Sequence, residues 1–200
     1  MAEGTLTRAI DDFTAGAEHL TQLVNLIADD RWDGPGLGEW SLRSLVGHAS
    51  RSLTTVVTYL AEPGGDVELT STAAYFASIR GYGDPASVRQ RGVDAGLALG
   101  NDPRAGVQVR RAHAVDALVG TDDRPLTTPF GGIMLSDYLP TRTFELAVHH
   151  VLDVADALGW ESFRLLGHSM GAGIASLIAA SAPERIERLV CIEALGGLAD

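Results

Sequence analysis

Apolar positions recur every three or four residues through the first part of the chain. Ile10, Phe13, Ala17, Leu20, Val24 and Ile27 share one helical face, so the spacing predicts an amphipathic helix over residues 6–27. Gly34-Pro35-Gly36 breaks the pattern. Ser41 then offers an N-cap hydroxyl to a second helix with the stripe Leu42, Leu45, Ala49, Leu53, Val56 and Leu60, ended by Pro63-Gly64-Gly65. Residues 73–100 and 103–119 read as two further helices separated by Asn101-Asp102-Pro103, and residues 121–132 as a loop. A last helix is expected over about 140–158, with Pro140 at its start and Gly159 at its end. This much predicts an all-α bundle of four or five helices.

The texture changes after Gly159-Trp160. Residues 162–166 form a short apolar run, 172–182 a small-residue helix ended by Pro183, and 188–195 a second apolar run. Strand, helix, strand is a βαβ unit with a parallel pair implied. The expected organisation is therefore mainly α: a four-helix bundle over 1–159, followed by a short βαβ fragment over 160–200.

Composition narrows the partners. Two hundred residues make one ordinary domain, or a domain plus a fragment, and 46% hydrophobic residues are enough for a core. A net charge of −11 argues against nucleic acid. No apolar run approaches the ~20 residues that span a bilayer, and the N-terminus lacks the basic-then-apolar signature of a secretory signal. The single cysteine, Cys191, allows no internal disulfide and suits a reducing compartment. The expectation is an acidic cytoplasmic protein with neither nucleic-acid nor membrane partners.

Candidate chemistry begins on the last bundle helix. Glu145 and His149 stand at i and i+4, one above the other on a helical face, where a carboxylate and an imidazole grip one divalent ion. His48, three residues after Leu45, points partly inward and is the best third ligand. Three protein ligands leave a coordination position open, as in a catalytic site. Asp153 is placed to orient the His149 imidazole, and His150, turned about 100° away, is the weaker ligand. The bland alternative is a hydrogen-bonded core histidine beside a solvated Glu–His surface pair.

The segments WSLRSLVGH at 40–48 and GGIMLSDYLPTRTFELAVHHVLDVADALG at 131–159 resemble the mycothiol-dependent maleylpyruvate isomerase family, a likeness covering about residues 5–159. The resemblance implies a DinB-like four-helix bundle with a divalent metal held by His48, Glu145 and His149. Zn²⁺ is the first choice, while two His and one carboxylate also suit Fe(II) or Ni(II). It implies mycothiol as a low-molecular-weight thiol cofactor, deprotonated by the metal and adding to an unsaturated small-molecule substrate. Cys191, inside an apolar strand-like run, is no substitute for that thiol. Arg142, one turn before Glu145, is placed to meet an anionic substrate, with helix packing or a surface ion pair as its ordinary alternative. The small C-terminal domain of the isomerase itself has no counterpart here.

The stretch from Gly159 onward, with Gly167-His168-Ser169-Met170-Gly171, resembles the nucleophile elbow of an α/β-hydrolase and the helix and strand that follow it. Ser169 would be the nucleophile. That fold orders its triad Ser, then acid, then His, yet all six histidines of this chain precede Ser169. One βαβ unit cannot bury both faces of two parallel strands. It must pack on the bundle, pair with another chain (a homodimer through this segment) or stay partly disordered. The chain reads as two families joined near residue 159 and cut at Asp200. Three readings stand: a metal- and thiol-dependent isomerase or transferase, an incomplete serine hydrolase, and a non-catalytic bundle.

Overall fold

Helix starts follow the capping residues. The computed structural model describes residues 2–36, 39–79, 84–146, 152, 155–156, 159–168, 175–176, 178–179 and 182–192. Helix α1 is Ala2–Asn25 and α2 is Leu42–Ala61, the latter capped as expected by the Ser41 hydroxyl accepting from the Ser44 N–H. The stretch expected as one helix over 73–100 is two: α3, Thr72–Ser78, capped by Ser71, and α4, Pro85–Leu97, capped by Asp84. Asp84-Pro85 is a second copy of the Asp102-Pro103 start that opens α5, Pro103–Asp116. A carboxylate cap followed by proline at the first helical position begins a helix rather than continuing one.

The expected loop over 121–132 contains a β-hairpin instead. Strand β1, Pro125–Thr128, pairs antiparallel with β2, Gly131–Met134, across Pro129-Phe130. Leu126 and Ile133, opposite one another, are fully buried, which fixes the register. Gly131 takes φ +127°, a conformation that a side chain rarely adopts. The Gly132 carbonyl also accepts from the N–H groups of Glu68 and Leu69, tying the α2–α3 connection to the hairpin.

The last bundle helix, α6, is Leu135–Phe144 and starts a turn earlier than expected; Pro140 is its sixth residue, not its first. Asp123 explains the difference, accepting from the Ser136 N–H at 3.0 Å and from the Ser136 hydroxyl at 2.8 Å. This cap comes from thirteen residues away in sequence. Glu145 and Leu146 continue α6 as a wider π turn.

Parallel pairing in the C-terminal segment is as expected. Strand β3, Phe163–His168, pairs with β4, Ile186–Ile192. The unit rests on the bundle through Ile178, which is buried among Leu23 of α1, Phe144 of α6, Leu152, Phe163, Leu165 and Ile186. Leu166, Leu189, Val190 and Ile192 stay exposed, and so does Cys191, which the apolar run led one to expect inside. Among the described residues the molecule is thus mainly helical with two small sheets, and no helix is long and apolar enough to cross a membrane.

The main core joins Phe13, Leu20, Leu42, Leu45, Leu53, Leu135, Tyr138 and Leu139, each fully buried. Helices α2 and α4 approach most closely at two glycines. A Cβ on Gly96 would lie 2.8 Å from the Arg43 carbonyl oxygen, and one on Gly47 would fall on the Gly96 backbone. Arg110 of α5 pins the crossing from outside, donating to the Ser50 hydroxyl at 2.5 Å and the Ala95 carbonyl at 3.1 Å.

Gly47→Val forces these backbones apart. Overpacking of this kind costs about 1–3 kcal/mol, and the expected readout is a thermal midpoint lower by roughly 2–4 °C per kcal/mol. An unchanged midpoint would contradict the close crossing.

Candidate functional site

One cavity of about 380 Å³ opens between α2, α3, α4, the hairpin turn and α6. Its α2 wall is set by helical spacing: His48, Arg51, Ser52, Thr55 and Tyr59 recur at three or four residues on the face next to the buried stripe. Helix α6 answers with Tyr138, Arg142 and Glu145, again one turn apart. Tyr75 comes from α3, Val88 and Arg91 from α4, and Phe130 from the hairpin turn. A lining of tyrosines with a few charged groups is the ordinary make-up of a small-molecule pocket.

His48 is held from one side by Trp40, with ring centroids 4.7 Å apart. Trp40 is itself fixed: its indole N–H donates to the Arg89 carbonyl at 2.9 Å, and its ring lies on the Gly92 backbone, where a Cβ would come within 2.7 Å. Glu39 pairs with Arg89 beside it. The start of α4 is thereby locked to the residues just ahead of α2, and the imidazole of His48 is set by the same clamp.

Arg142 lies over two aromatic faces, 5.5 Å from the Tyr75 centroid and 5.2 Å from that of Tyr138. Those tyrosines meet edge to face at 5.6 Å, with Tyr59 against Tyr138 at 5.6 Å and Phe130 against Tyr75 at 5.5 Å. Burial pushes the Tyr138 phenol far above its ordinary value, beyond what Arg142 and Thr55 offset. Burial also raises the Tyr75 phenol, against the pull of Arg142. Burial lowers the Arg51 guanidinium, and the neighbouring charges of Arg91 and Arg142 lower it further.

The structure therefore brings three of the residues singled out in the sequence, His48, Arg142 and Glu145, to one cavity. Arg142 makes no ion pair among the described residues; its guanidinium is stacked and also donates to the Thr141 hydroxyl at 2.9 Å. His149, His150, Asp153 and Ser169 lie outside the described residues. Among the described residues no group of three or more His, Cys, Asp or Glu forms a metal cluster. Cys191 is not among the cavity's lining residues. Sequence reasoning missed Arg51, Arg91 and the tyrosine cage. Arg51, at i+3 from His48 on the same helix, was open to the periodicity argument; Arg91 was not, because only the α2–α4 crossing brings it near.

A family model for the mycothiol maleylpyruvate isomerase N-terminal domain matches residues 13–155. The chain belongs to that family. Its fold is also similar to the crystal structure of the mycothiol-dependent maleylpyruvate isomerase, with a TM-score of 0.52 and 15% identity over 82% of this chain and 75% of that one. A variant of that enzyme, with one histidine replaced by alanine, matches with the same TM-score at 14% identity. A second model, for the α/β hydrolase fold, matches residues 116–199, so the two matches overlap over 116–155. A serine hydrolase-like protein of Dictyostelium discoideum is 55% identical over 49 residues, which is 24% of this chain and 14% of that protein. One from Danio rerio is 34% identical over 84 residues, 40% of this chain and 26% of that protein. The chain thus spans about a quarter or less of the length of these curated relatives.

Trp40 separates two effects on His48. Trp40→Phe keeps a ring against the imidazole and loses the bond to Arg89, an expected cost of about 1 kcal/mol in thermal unfolding. Trp40→Ala removes both, and the His48 ring resonances are expected to move further by NMR than in Trp40→Phe. Equal shifts in the two variants would show that Trp40 does not set the imidazole.

Proposed function

We propose that the bundle is a metal-dependent, thiol-dependent isomerase or transferase acting on a small electrophilic molecule within this cavity. The observation that carries the reading is the convergence of His48 and Glu145, from two different helices, on one pocket. Their chemistry fits a divalent ion: an imidazole and a carboxylate, with His149 four residues after Glu145 in sequence as the third ligand. Zn²⁺ is the first candidate, and Fe(II) and Ni(II) suit the same donors. When bound, the metal supplies the charge that keeps a coordinated thiol ionised near neutral pH. The thiol is mycothiol by family membership, a small-molecule partner and not a side chain of this protein.

The chain's own residues have separable tasks in this reading. His48 and Glu145 hold the ion, and Trp40 fixes the imidazole of His48. Tyr138, fully buried beneath the cavity, backs Arg142 with its ring and so fixes the plane of that guanidinium. Tyr75, Phe130 and Tyr59 line the cavity with aromatic surface that would keep water from a thiol bound there. The protein acts in the cytoplasm, where low-molecular-weight thiols stay reduced.

Metal analysis by plasma mass spectrometry tests the reading before any substrate is known. Wild type is expected to hold close to one divalent ion per chain, and His48→Ala, Glu145→Gln and His149→Ala each to lose most of it. No stoichiometric metal in wild type after reconstitution would sink the reading.

The 55% match to a serine hydrolase-like protein favours a second reading for the C-terminal segment, with Ser169 as a nucleophile completed by another chain. All six histidines of this chain precede Ser169, opposite to the hydrolase order. The expected result with a fluorophosphonate probe is therefore no labelling. Labelling lost in Ser169→Ala would favour the hydrolase.

A further inference from the structure

The last residues of α6 point in three directions within one turn. Phe144 packs outward, its ring 5.4 Å from that of Phe76 on α3 and against Ile178 of the C-terminal segment. Glu145 turns into the cavity. Leu146 is fully buried in the main core on the α1 side, where a Cβ on Gly16 would meet it at 3.5 Å. The Glu145 N–H is shared between the Thr141 and Arg142 carbonyls as the helix widens into its π turn.

Glu145 makes no side-chain hydrogen bond or ion pair among the described residues. Its carboxylate is therefore aimed by the backbone, and the backbone is aimed by the residues on either side. Leu146 is held by the bundle. Phe144 is held between the bundle and the C-terminal segment, so half of this grip comes from outside the bundle. The segment also reaches past Glu145 in sequence, because Leu152 packs against the same Ile178. Arg185 adds a third hold through the Asp156 carboxylate at 2.6 Å. Ile178 is itself 1% exposed, so the seat is closed. Emptying it would give Phe144 room to move, and a close-packed interior passes such a shift to the next residue.

We propose that the hydrolase-like C-terminal segment braces the cavity: Ile178, by seating Phe144 and Leu152, fixes the direction in which Glu145 enters it. The inference rests on the reading of Glu145 as a ligand of the proposed metal. It gives the segment a task that needs neither Ser169 nor a triad, although none of its described residues lines the cavity. Ile178 is a positioning residue, acting on the site through Phe144 alone on one side and Leu152 on the other.

The whole chain is used to test the brace, as wild type, Ile178→Ala, Ile178→Val and Val24→Ala. Val24 is as deeply buried as Ile178 but belongs to the main core and lines no part of the cavity, so it controls for lost stability. The first readout is the Glu145 backbone amide resonance in metal-free protein. It is expected to shift in Ile178→Ala, to return close to its wild-type position in Ile178→Val, and to stay in place in Val24→Ala. The second is Co²⁺ binding, followed by the visible absorption band of the ion, which reports its coordination geometry. Ile178→Ala is expected to weaken binding about tenfold and to alter the band, while Ile178→Val and Val24→Ala bind like wild type. Thermal unfolding shows which variants fold, and Leu23→Ala, which opens the same seat from α1, replaces Ile178→Ala if that variant does not. An unmoved Glu145 amide, or unchanged Co²⁺ binding, in the folded seat variant would overturn the brace. So would a Val24→Ala protein that shifts the amide and weakens Co²⁺ as much. Wild type that binds no Co²⁺ would sink the metal reading, and the metal-free amide shifts would still decide whether the segment positions Glu145.

Discussion

The backbone-to-backbone crossing of α2 and α4 at Gly47 and Gly96 is the constraint on which the cavity depends. No side chain fits between the two helices there, since a Cβ on Gly96 would already lie 2.8 Å from the Arg43 carbonyl. Because the crossing is so close, the next turns of α2 and α4 present Arg51 and Arg91 to the same space. The same approach seats Trp40 on Gly92 and against His48. One contact of small residues thus sets both a metal-ligand candidate and two cationic side chains. Proteins are packed like crystals and transmit such displacements, so a change at Gly47 would be felt at every residue of this wall.

The opposite wall is held by aromatic packing rather than close backbones. Tyr138 is fully buried on α6, and its ring meets both Tyr59 and Tyr75. The hairpin adds Phe130, and the hairpin is anchored in turn by Leu126 and Ile133 in the main core. Arg142 lies across Tyr75 and Tyr138 with little freedom to swing toward solvent. A guanidinium with fewer accessible orientations loses less entropy when it binds. The two walls therefore differ in how they hold their charged groups: α2 and α4 by a close backbone crossing, α6 by stacking Arg142 on aromatic faces.

What could be read from the sequence divides along local and non-local lines. Ser41 capping α2, Asp102-Pro103 opening α5 and the turn at Gly159 are short-range signals, and each appears in the structure where the pattern placed it. Asp84-Pro85 was an equally local signal, hidden by the apolar spacing around it. The α6 start was not local at all, because its cap is Asp123 on the preceding loop. The hairpin lacked an Asn-Gly or Asp-Gly turn, and its register depends on two residues whose burial only the tertiary fold supplies. In the cavity, His48, Arg142 and Glu145 were legible because helical spacing and family resemblance both marked them. Arg91 was not, since nothing in its own helix sets it apart from Arg89.

The C-terminal segment stands in a different energetic relation to the bundle. A parallel strand pair is normally covered on both faces, yet β3 and β4 leave Leu166, Leu189, Val190 and Ile192 exposed. Its attachment to the bundle runs through Ile178, set against Leu23 and Phe144. Arg185 ties its own ends together, binding the Trp160 and Glu161 carbonyls at 2.6 Å and the Asp156 carboxylate. None of its described residues lines the cavity. The described site residues and the α2–α4 constraint thus belong to α2, α3, α4, the hairpin and α6, all of which precede β3 in the chain. The overlap of the two family matches over 116–155 falls on the hairpin and α6. Phe144, at the end of α6, touches both Phe76 on the bundle side and Ile178 on the strand side. The end of α6 therefore presents an aromatic contact to each neighbour, and the hold of the strand pair on the bundle depends on it together with Leu23.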